Sequence, residues 1–233
     1  MAKIVGILGG MGPMSTADLM RKVTEKTPVR HEWEHLRMLI DSRPQIPDRP
    51  AGLLGTGPSP VPMLQESARM LEVWGAELIA IPCNTAHGFL ADVQAAVRIE
   101  VLDMIGIVGR EISKSFSDGV PIGLLSTTAA QELRIFHDRM PQFNLVVPET
   151  SAQEHLVAGA ILQVKLEDTV EEPRRKLLEA IKTMDPAPEA LIAGCTEVEL
   201  AFQGGGDPVP IFRPMDLLAE EIVTRAWKEA LEA

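Results

Sequence analysis

The chain contains two cysteines, and both lie in similar surroundings. Cys83 lies in the segment Pro82–His87, PCNTAH, and Cys195 lies in Gly194–Glu197, GCTE. Each cysteine follows an apolar run and precedes polar residues that are typical of a helix start. The start of a helix stabilises a thiolate, because the helix dipole and unpaired N–H groups lie beside the sulfur. The sequence therefore predicts two thiols that can exchange protons.

The pairing of the thiols indicates chemistry more strongly than either thiol alone, since a lone cysteine is more commonly a small buried apolar residue. A thiolate can remove a proton from one face of a carbon while a thiol returns a proton to the other face. A disulfide is an alternative, and it requires sulfurs about 2.05 Å apart. A metal site is a weaker alternative, because only His87 lies near Cys83 and no further ligand cluster supports it. No metal is expected.

The glycine-rich segment Gly6–Pro13 follows the first apolar run. A dinucleotide-binding fingerprint fits poorly, because Ser15 stands where the third glycine is expected and Asp41 is the only candidate for the acidic residue. We expect a tight strand-to-helix turn that begins a helix at Pro13 and presents N–H groups to a small anion. A turn that only lets the helix pack on the strand is the alternative.

Apolar runs without polar alternation predict strands that are buried on both faces. Helical patterns separate most of these runs, so the sequence predicts an α/β fold with parallel sheets. A segment rich in proline and glycine, Pro44–Pro62, predicts a long loop of the kind that often carries function. The predicted strands are Ile4–Leu8, Leu36–Ile40, Leu78–Ile81, Ile99–Leu102, Ile122–Leu125, Leu145–Val147, Leu191–Ala193 and Val209–Phe212. The predicted helices include Ser15–Lys26, Pro60–Trp74, Thr85–Val97, Pro173–Met184 and Met215–Leu231.

A weak internal repeat predicts two similar domains. Val5–Gly9 resembles Ile122–Ser126, and Glu77–Cys83 resembles Glu189–Cys195. The simpler alternative is that all buried strands look alike. We expect a first domain of residues 1–104 with 209–233 and a second domain of residues 105–208. A pseudo-twofold between them would bring the two cysteines to face each other across a cleft.

Composition excludes several classes of function. The 233 residues are 45% hydrophobic and 24% charged, which excludes disorder as the main state. The net charge of −11 argues against nucleic acid or an anionic membrane as the partner. The sequence shows neither a secretory signal nor a run of about 18 apolar residues. We expect a soluble, cytoplasmic protein with reduced thiols.

The motifs GGMGP at 9–13, PQIPDR at 44–49, PCNTAH at 82–87 and GCTE at 194–197 together resemble the aspartate/glutamate racemase family, in particular its aspartate racemase branch. The resemblance spans nearly the whole chain. It implies two similar α/β domains with the active site between them, a two-base mechanism that needs no cofactor, and commonly a homodimer. The implied substrate is a small dicarboxylic amino acid, and the implied reaction interconverts L- and D-aspartate.

The resemblance also assigns roles to individual residues. Cys83 and Cys195 would be the two proton donors and acceptors. The α-carboxylate would be bound by residues beside them, the long loop would contribute two polar residues, and a helix-end lysine would bind the distal carboxylate. The implied substrate-binding residues are Met11, Gln45, Arg49, Asn84, Thr85, Thr127, Lys165 and Thr196.

Two departures from the family pattern bear on the substrate. The segment Ser126–Ala130 keeps Thr127 but has Ala129 and Ala130 where the family usually has glycine and threonine. Glu197 stands where glutamate racemases tend to carry histidine, which favours aspartate. Glutamate, a hydantoin or maleate are the alternative substrates, and a non-catalytic two-domain binding module is the alternative of a different class.

Overall fold

The computed structural model describes residues 2–167 and 169–227. Within this part of the chain, eight strands form two parallel four-stranded sheets. The strands of the first sheet are β1 (Val5–Gly9), β2 (Met38–Ser42), β3 (Leu78–Ala80) and β4 (Glu100–Val101), in the order β2-β1-β3-β4. The strands of the second sheet are β5 (Pro121–Ser126), β6 (Asn144–Val146), β7 (Ala190–Gly194) and β8 (Ile211–Phe212), in the order β6-β5-β7-β8.

Helices connect the strands, as parallel pairing requires. The α-helices of the first half are α1 (Pro13–Lys26), α2 (Arg49–Leu54), α3 (Val61–Val73), α4 (Leu90–Gln94) and α5 (Met104–Ile112). Those of the second half are α6 (Thr128–Glu132), α7 (Thr150–Ala152), α8 (Ala158–Glu167), α9 (Glu171–Ile181), α10 (Thr196–Ala201) and α11 (Pro214–Ala226). Short 3₁₀ turns occupy Glu32–Glu34, Thr85–Phe89 and His137–Arg139, and a π-helical turn occupies Gln153–Val157.

The α/β fold with two parallel sheets is confirmed, and a strand lies at each predicted position. The apolar runs arise because both faces of the sheet are covered. In β1, Val5 and Ile7 lie in one apolar cluster with residues of α1 and α11. Leu8, on the other face of the same strand, lies in a second cluster with Leu64 and Leu71 of α3. Each strand therefore needs apolar residues at successive positions.

The two sheets have equivalent strand orders, as the internal repeat predicts. In each sheet, the first strand in sequence (β1 or β5) lies between the second strand (β2 or β6) and the third strand (β3 or β7). The two cysteines follow these third strands, Cys83 after β3 and Cys195 after β7. Each cysteine therefore has the same topological position in its own sheet.

The described residues divide into two compact units, one of residues 2–107 with 215–227 and one of residues 108–167 with 169–214. The second border differs from the expected one, which placed residues 209–214 in the first domain. In the structure Ile211 and Phe212 pair with Leu191 and Ile192 of β7, so this strand completes the second sheet. The first border lies inside α5 rather than at residue 104. Residues 228–233 of the domain prediction, and the end of the predicted helix Met215–Leu231, lie outside the described residues.

The loop prediction for Pro44–Pro62 is wrong at its centre and its end. The segment contains α2, which Asp48 caps by accepting a hydrogen bond from the Ala51 N–H at 2.8 Å. Pro50 and Pro62 lie in the first turns of α2 and α3. Proline is favoured there because the first helical N–H groups have no partner within the helix. These prolines mark helix starts rather than a continuous loop.

The helix predicted over Thr85–Val97 is also interrupted. It consists of the 3₁₀ turn Thr85–Phe89 followed by the short helix α4. Among the described residues, the structure contains no helix that is long and apolar enough to cross a membrane.

Candidate active-site residues

Cys83 lies at the carboxyl end of β3, the edge of a parallel sheet where ligands commonly bind. Its side chain is buried in an apolar cluster that also contains Met11 and Ile46. Its N–H donates to the Ile81 carbonyl at 2.8 Å. The cysteine is reduced. Because the turn that follows is 3₁₀ and short, a helix dipole supports this thiolate less than the sequence predicts.

His87 holds the backbone of Cys83. Its Nδ1 lies 2.9 Å from the Cys83 carbonyl oxygen, and its Nε2 accepts a hydrogen bond from the Met104 N–H at 3.2 Å. Since a backbone N–H can only donate, Nε2 carries no proton and Nδ1 donates to the carbonyl. The ring is fully buried. This pattern makes His87 a neutral support for Cys83 and not a base.

Asn84 is a buried polar side chain without partners. Its side chain is 3% exposed, and neither Nδ2 nor Oδ1 has a hydrogen-bond partner among the described residues. A buried donor or acceptor left unpaired costs about 1–3 kcal/mol. A polar ligand that pairs with the amide would recover this free energy. Thr85, the next residue, is also buried.

The glycine-rich turn brings Met11 into the same region. Gly10 has φ of +93°, and a Cβ there would lie 2.3 Å from the backbone of Arg43. The Gly10 N–H donates to Thr16 Oγ1 at 2.9 Å, and this hydroxyl donates to the Gly12 carbonyl at 3.1 Å. The predicted helix start at Pro13 is confirmed. Since Thr16 occupies the Gly10 N–H, the packing interpretation of this turn is favoured over anion binding at that group.

Arg49 and Gln45 lie on the segment between β2 and α3. Arg49 Nη1 donates to the carbonyls of Ile46 and Pro47, each at 3.2 Å. Its Nε is buried and has no hydrogen-bond partner in the described part of the chain. Ile46 anchors the segment in the Cys83 cluster, whereas Gln45 is exposed. The guanidinium is therefore held in place while one of its donors remains unused.

Cys195 lies at the equivalent position in the second unit, as the residue that caps the N-terminus of α10. It is buried and reduced, and Sγ donates to Glu197 Oε2 at 2.8 Å. Thr196 Oγ1 donates to the same oxygen at 3.0 Å. Lys165 Nζ lies 3.8 Å from Glu197 Oε1. The structure thus brings Cys195, Thr196 and Lys165 together around a carboxylate that the sequence singled out only as a departure.

The surroundings of Cys195 favour the protonated sulfur. Burial, the negative charge of Glu197 and the hydrogen bond to Glu197 raise the pKa of Cys195 well above its ordinary value. Lys165 and a backbone hydrogen bond lower it and do not reverse the effect.

Thr127 lies at the end of β5, next to the strand that leads to Cys195, since Ser126 pairs with Gly194. Its Oγ1 accepts a hydrogen bond from Ala130 N at 3.3 Å and so caps α6. Sequence reasoning missed Gln153, whose buried side chain donates to the Ser126 carbonyl at 3.0 Å and accepts from Gln131 Nε2 at 2.8 Å. A lone glutamine in a helical stretch gives no signal of such a role.

Among the described residues, no cluster of three or more His, Cys, Asp or Glu side chains could hold a metal ion. The site residues instead form two groups, one in each unit. Each group has a buried thiol at the end of the third strand and polar side chains immediately after it. These features define a protein whose candidate chemistry is proton transfer by thiols.

Comparison with known proteins identifies the family. The sequence model of the Asp/Glu/Hydantoin racemase family matches residues 8–222. The chain therefore belongs to the Asp/Glu/hydantoin racemase family, and the resemblance seen in its motifs is confirmed.

Individual relatives agree with this assignment. The chain is 22% identical to the broad specificity amino-acid racemase RacX of Bacillus subtilis, over 95% of this chain and 97% of that protein. Its structure is similar to that of an aspartate racemase from Picrophilus torridus, with a TM-score of 0.84, 28% identity and coverage of 96% and 94% of the two chains. It also shares its fold with glutamate racemase isoform RacE1 from Bacillus anthracis, with a TM-score of 0.66 at 18% identity over 95% and 80% of the chains.

Proposed function

We propose that this protein is a cofactor-independent amino-acid racemase that interconverts L- and D-aspartate, with Cys83 and Cys195 as its two acid–base groups. The observation that carries the proposal is the equivalent position of the two reduced thiols, each after the third strand of its sheet, in a member of a racemase family. A single structural thiol has no reason to be repeated at the same place in both units.

In the proposed reaction, one sulfur is a thiolate and the other is a thiol. The thiolate takes the proton from Cα, and the electron pair of that bond is delocalised toward the α-carboxylate. The thiol then gives its proton to the opposite face of Cα and becomes the thiolate. Starting from the other enantiomer, the two sulfurs exchange roles. The raised pKa of Cys195 supports Cys195 as the thiol of the pair.

The α-carboxylate of the substrate would bind to Asn84, Thr85 and Thr196. The unpaired amide of Asn84 supports this assignment, because its N–H groups can donate to a carboxylate and its buried position makes a polar ligand favourable. Met11, which shares the apolar cluster with Cys83, would cover the substrate from the same unit.

The distal carboxylate would bind to Arg49 and Lys165. A dicarboxylate needs local cations in a chain of net charge −11, and arginine can offer two parallel donors to a carboxylate. The unpaired Nε of Arg49 supports this role. Gln45 and Thr127 would contribute to the choice of side chain.

The choice of aspartate rests on the motifs and on the similarity to the Picrophilus torridus enzyme, which is described as an aspartate racemase. A broad range of amino acids is the second candidate, because the Bacillus subtilis relative is described as a broad specificity racemase. A panel of acids that includes aspartate, glutamate and neutral amino acids separates these two candidates.

The proposal is tested by incubating the protein with L-aspartate in deuterated water, followed by chiral analysis and mass measurement of the α-position. We expect D-aspartate that carries one solvent deuteron at Cα. Exchange with glutamate or neutral amino acids but not with aspartate would reject the aspartate assignment and retain the racemase. Tight binding of an amino acid without α-proton exchange would support a binding module instead.

A further inference from the structure

We propose that Glu197 is a positioning residue that keeps Cys195 protonated and directs its S–H, so that Cys195 is the proton donor of the resting enzyme. This inference rests on the proposed function, because it assigns a role within the two-thiol reaction.

The hydrogen bonds around Glu197 define the role. Oε2 accepts from Cys195 Sγ at 2.8 Å and from Thr196 Oγ1 at 3.0 Å. Both bonds have the carboxylate oxygen as acceptor, so the hydrogen between Glu197 and the sulfur lies on the sulfur. Thr196 orients the same oxygen and limits the positions that the carboxylate can take. The S–H direction is therefore fixed by two neighbouring residues of one short segment.

Burial makes this arrangement effective. Cys195 is 7% exposed, and the side chain of Glu197 is 12% exposed. With little solvent to screen it, a carboxylate beside the sulfur strongly disfavours a second negative charge there. Proton transfer from Cys195 is then favourable only when the reacting carbon accumulates negative charge.

The other charged group that acts on this thiol is on a different helix. Lys165 of α8 approaches the second oxygen of Glu197, with Nζ 3.8 Å from Oε1, and acts on Cys195 in the opposite direction. Helix α9 also packs on α10, but its Arg174 lies over the Phe202 ring, 5.0 Å from the ring centroid. Burial is the largest cause of the raised pKa of Cys195, and Glu197 and Lys165 then act on that pKa in opposite directions.

The chain allows a direct test, since it contains only two cysteines. In a Cys83→Ala background, iodoacetamide modifies Cys195 alone, and its rate follows the thiolate fraction. We expect Glu197→Gln to raise the modification rate at neutral pH by about threefold or more and to move the rate profile to lower pH. Lys165→Met is expected to slow modification and move the profile to higher pH.

Two controls separate a charge effect at the sulfur from a general effect. Glu197→Asp keeps the carboxylate, so its pH profile of the modification rate is expected to lie closer to that of the parent than the profile of Glu197→Gln does. Glu179→Gln removes an exposed carboxylate of α9 that pairs with Lys182, and its profile is expected to match the parent. Circular dichroism establishes that each variant is folded. If Glu197→Gln does not fold, the proposal is tested by the direction in which Lys165→Met moves the pH profile of the modification rate.

An unchanged or alkaline-shifted profile in folded Glu197→Gln, or faster modification in Lys165→Met, would overturn the proposal.

In the enzyme with both cysteines, Glu197→Gln is expected to lower kcat about 100-fold with little change in KM, and to move the alkaline limit of activity to lower pH. The alkylation experiment does not depend on racemase activity. A failure of the racemase proposal would appear as absent α-proton exchange in the parent and is therefore distinguishable.

Discussion

Asn84 and Cys195 are buried polar side chains in opposite situations. Cys195 has its partner within the protein, in the carboxylate of Glu197. Asn84 has none among the described residues, although it directly follows the other cysteine. A buried amide without partners lowers the stability of the fold, and a polar ligand that pairs with the amide recovers that free energy. The lack of a partner for this amide therefore favours a ligand-binding role for Asn84 over a purely structural role.

Asn84→Ala tests this distinction. Because the amide has no hydrogen-bond partner among the described residues, its removal relieves a cost of about 1–3 kcal/mol, and we expect the free energy of unfolding to stay the same or to rise. Substrate binding should weaken, with KM for aspartate raised about tenfold or more. Thermal unfolding and steady-state kinetics on the same preparation measure both effects. A large loss of stability with unchanged KM would show that the amide has a structural role instead.

Sequence patterns predict the candidate acid–base residues better than they predict the groups that contact these residues. Both cysteines follow apolar strands, so the sequence alone predicts where they lie. The partnership of Glu197 with Cys195 depends on side-chain directions around one helix start, which no spacing rule specifies. The neutral tautomer of His87 likewise follows only from seeing Met104 N–H on its Nε2.

At the scale of elements, the turn between β1 and α1 positions Met11 beside Cys83. Gly10 combines a positive φ with a backbone neighbour at a distance that no Cβ can occupy. The turn is therefore determined by close approach of the chain to Arg43. The glycine pattern alone could not separate this requirement from phosphate binding.

Gly10→Ala is expected to destabilise the protein by about 2–3 kcal/mol, since it adds both strain and a backbone clash. Gly159→Ala in α8 is the matched control. Among the described residues, a Cβ at Gly159 meets no heavy atom within 4 Å apart from its chain neighbours and the backbone of its own helix, and its φ lies outside the left-handed region. We expect this control to be neutral or stabilising by up to about 1 kcal/mol. Chemical denaturation followed by circular dichroism measures both variants, and equal effects would refute the close-approach argument.

The strands were predictable because burial on both faces leaves a continuous apolar run. The helical parts of the segment Pro44–Pro62 were not predictable, because proline is common both in loops and in the first turn of a helix. Asp48 was the available signal for α2, since aspartate is favoured at the N-cap and Pro50 lies in the first helical turn that follows. The 3₁₀ turn after Cys83 had no comparable signal in its composition.

At the scale of the whole molecule, the repeat in the sequence predicted two units with the same strand order, and the structure contains them. The expected border at residue 208 differs from the border after residue 214 because the strand Ile211–Phe212 is very short. A two-residue strand at a sheet edge has little pattern of its own, and its partner β7 decides where it belongs. Membership of a racemase family then follows from the match over residues 8–222.

The homodimer implied by the motif resemblance is a prediction at this scale. Light scattering coupled to size-exclusion chromatography should give a mass of about twice that of the 25.4 kDa chain. The elution should stay constant over a dilution series if the interface is obligate. A monomeric mass at all concentrations would reject the homodimer and leave the racemase proposal intact.

The most direct test of the central claim compares three proteins, the parent, Cys83→Ala and Cys195→Ala, with L-aspartate in deuterated water. We predict that the parent forms D-aspartate deuterated at Cα, and that each folded single variant loses racemisation by about 100-fold or more because one proton transfer lacks its group. Full racemisation by either folded variant would contradict a reaction that uses both thiols.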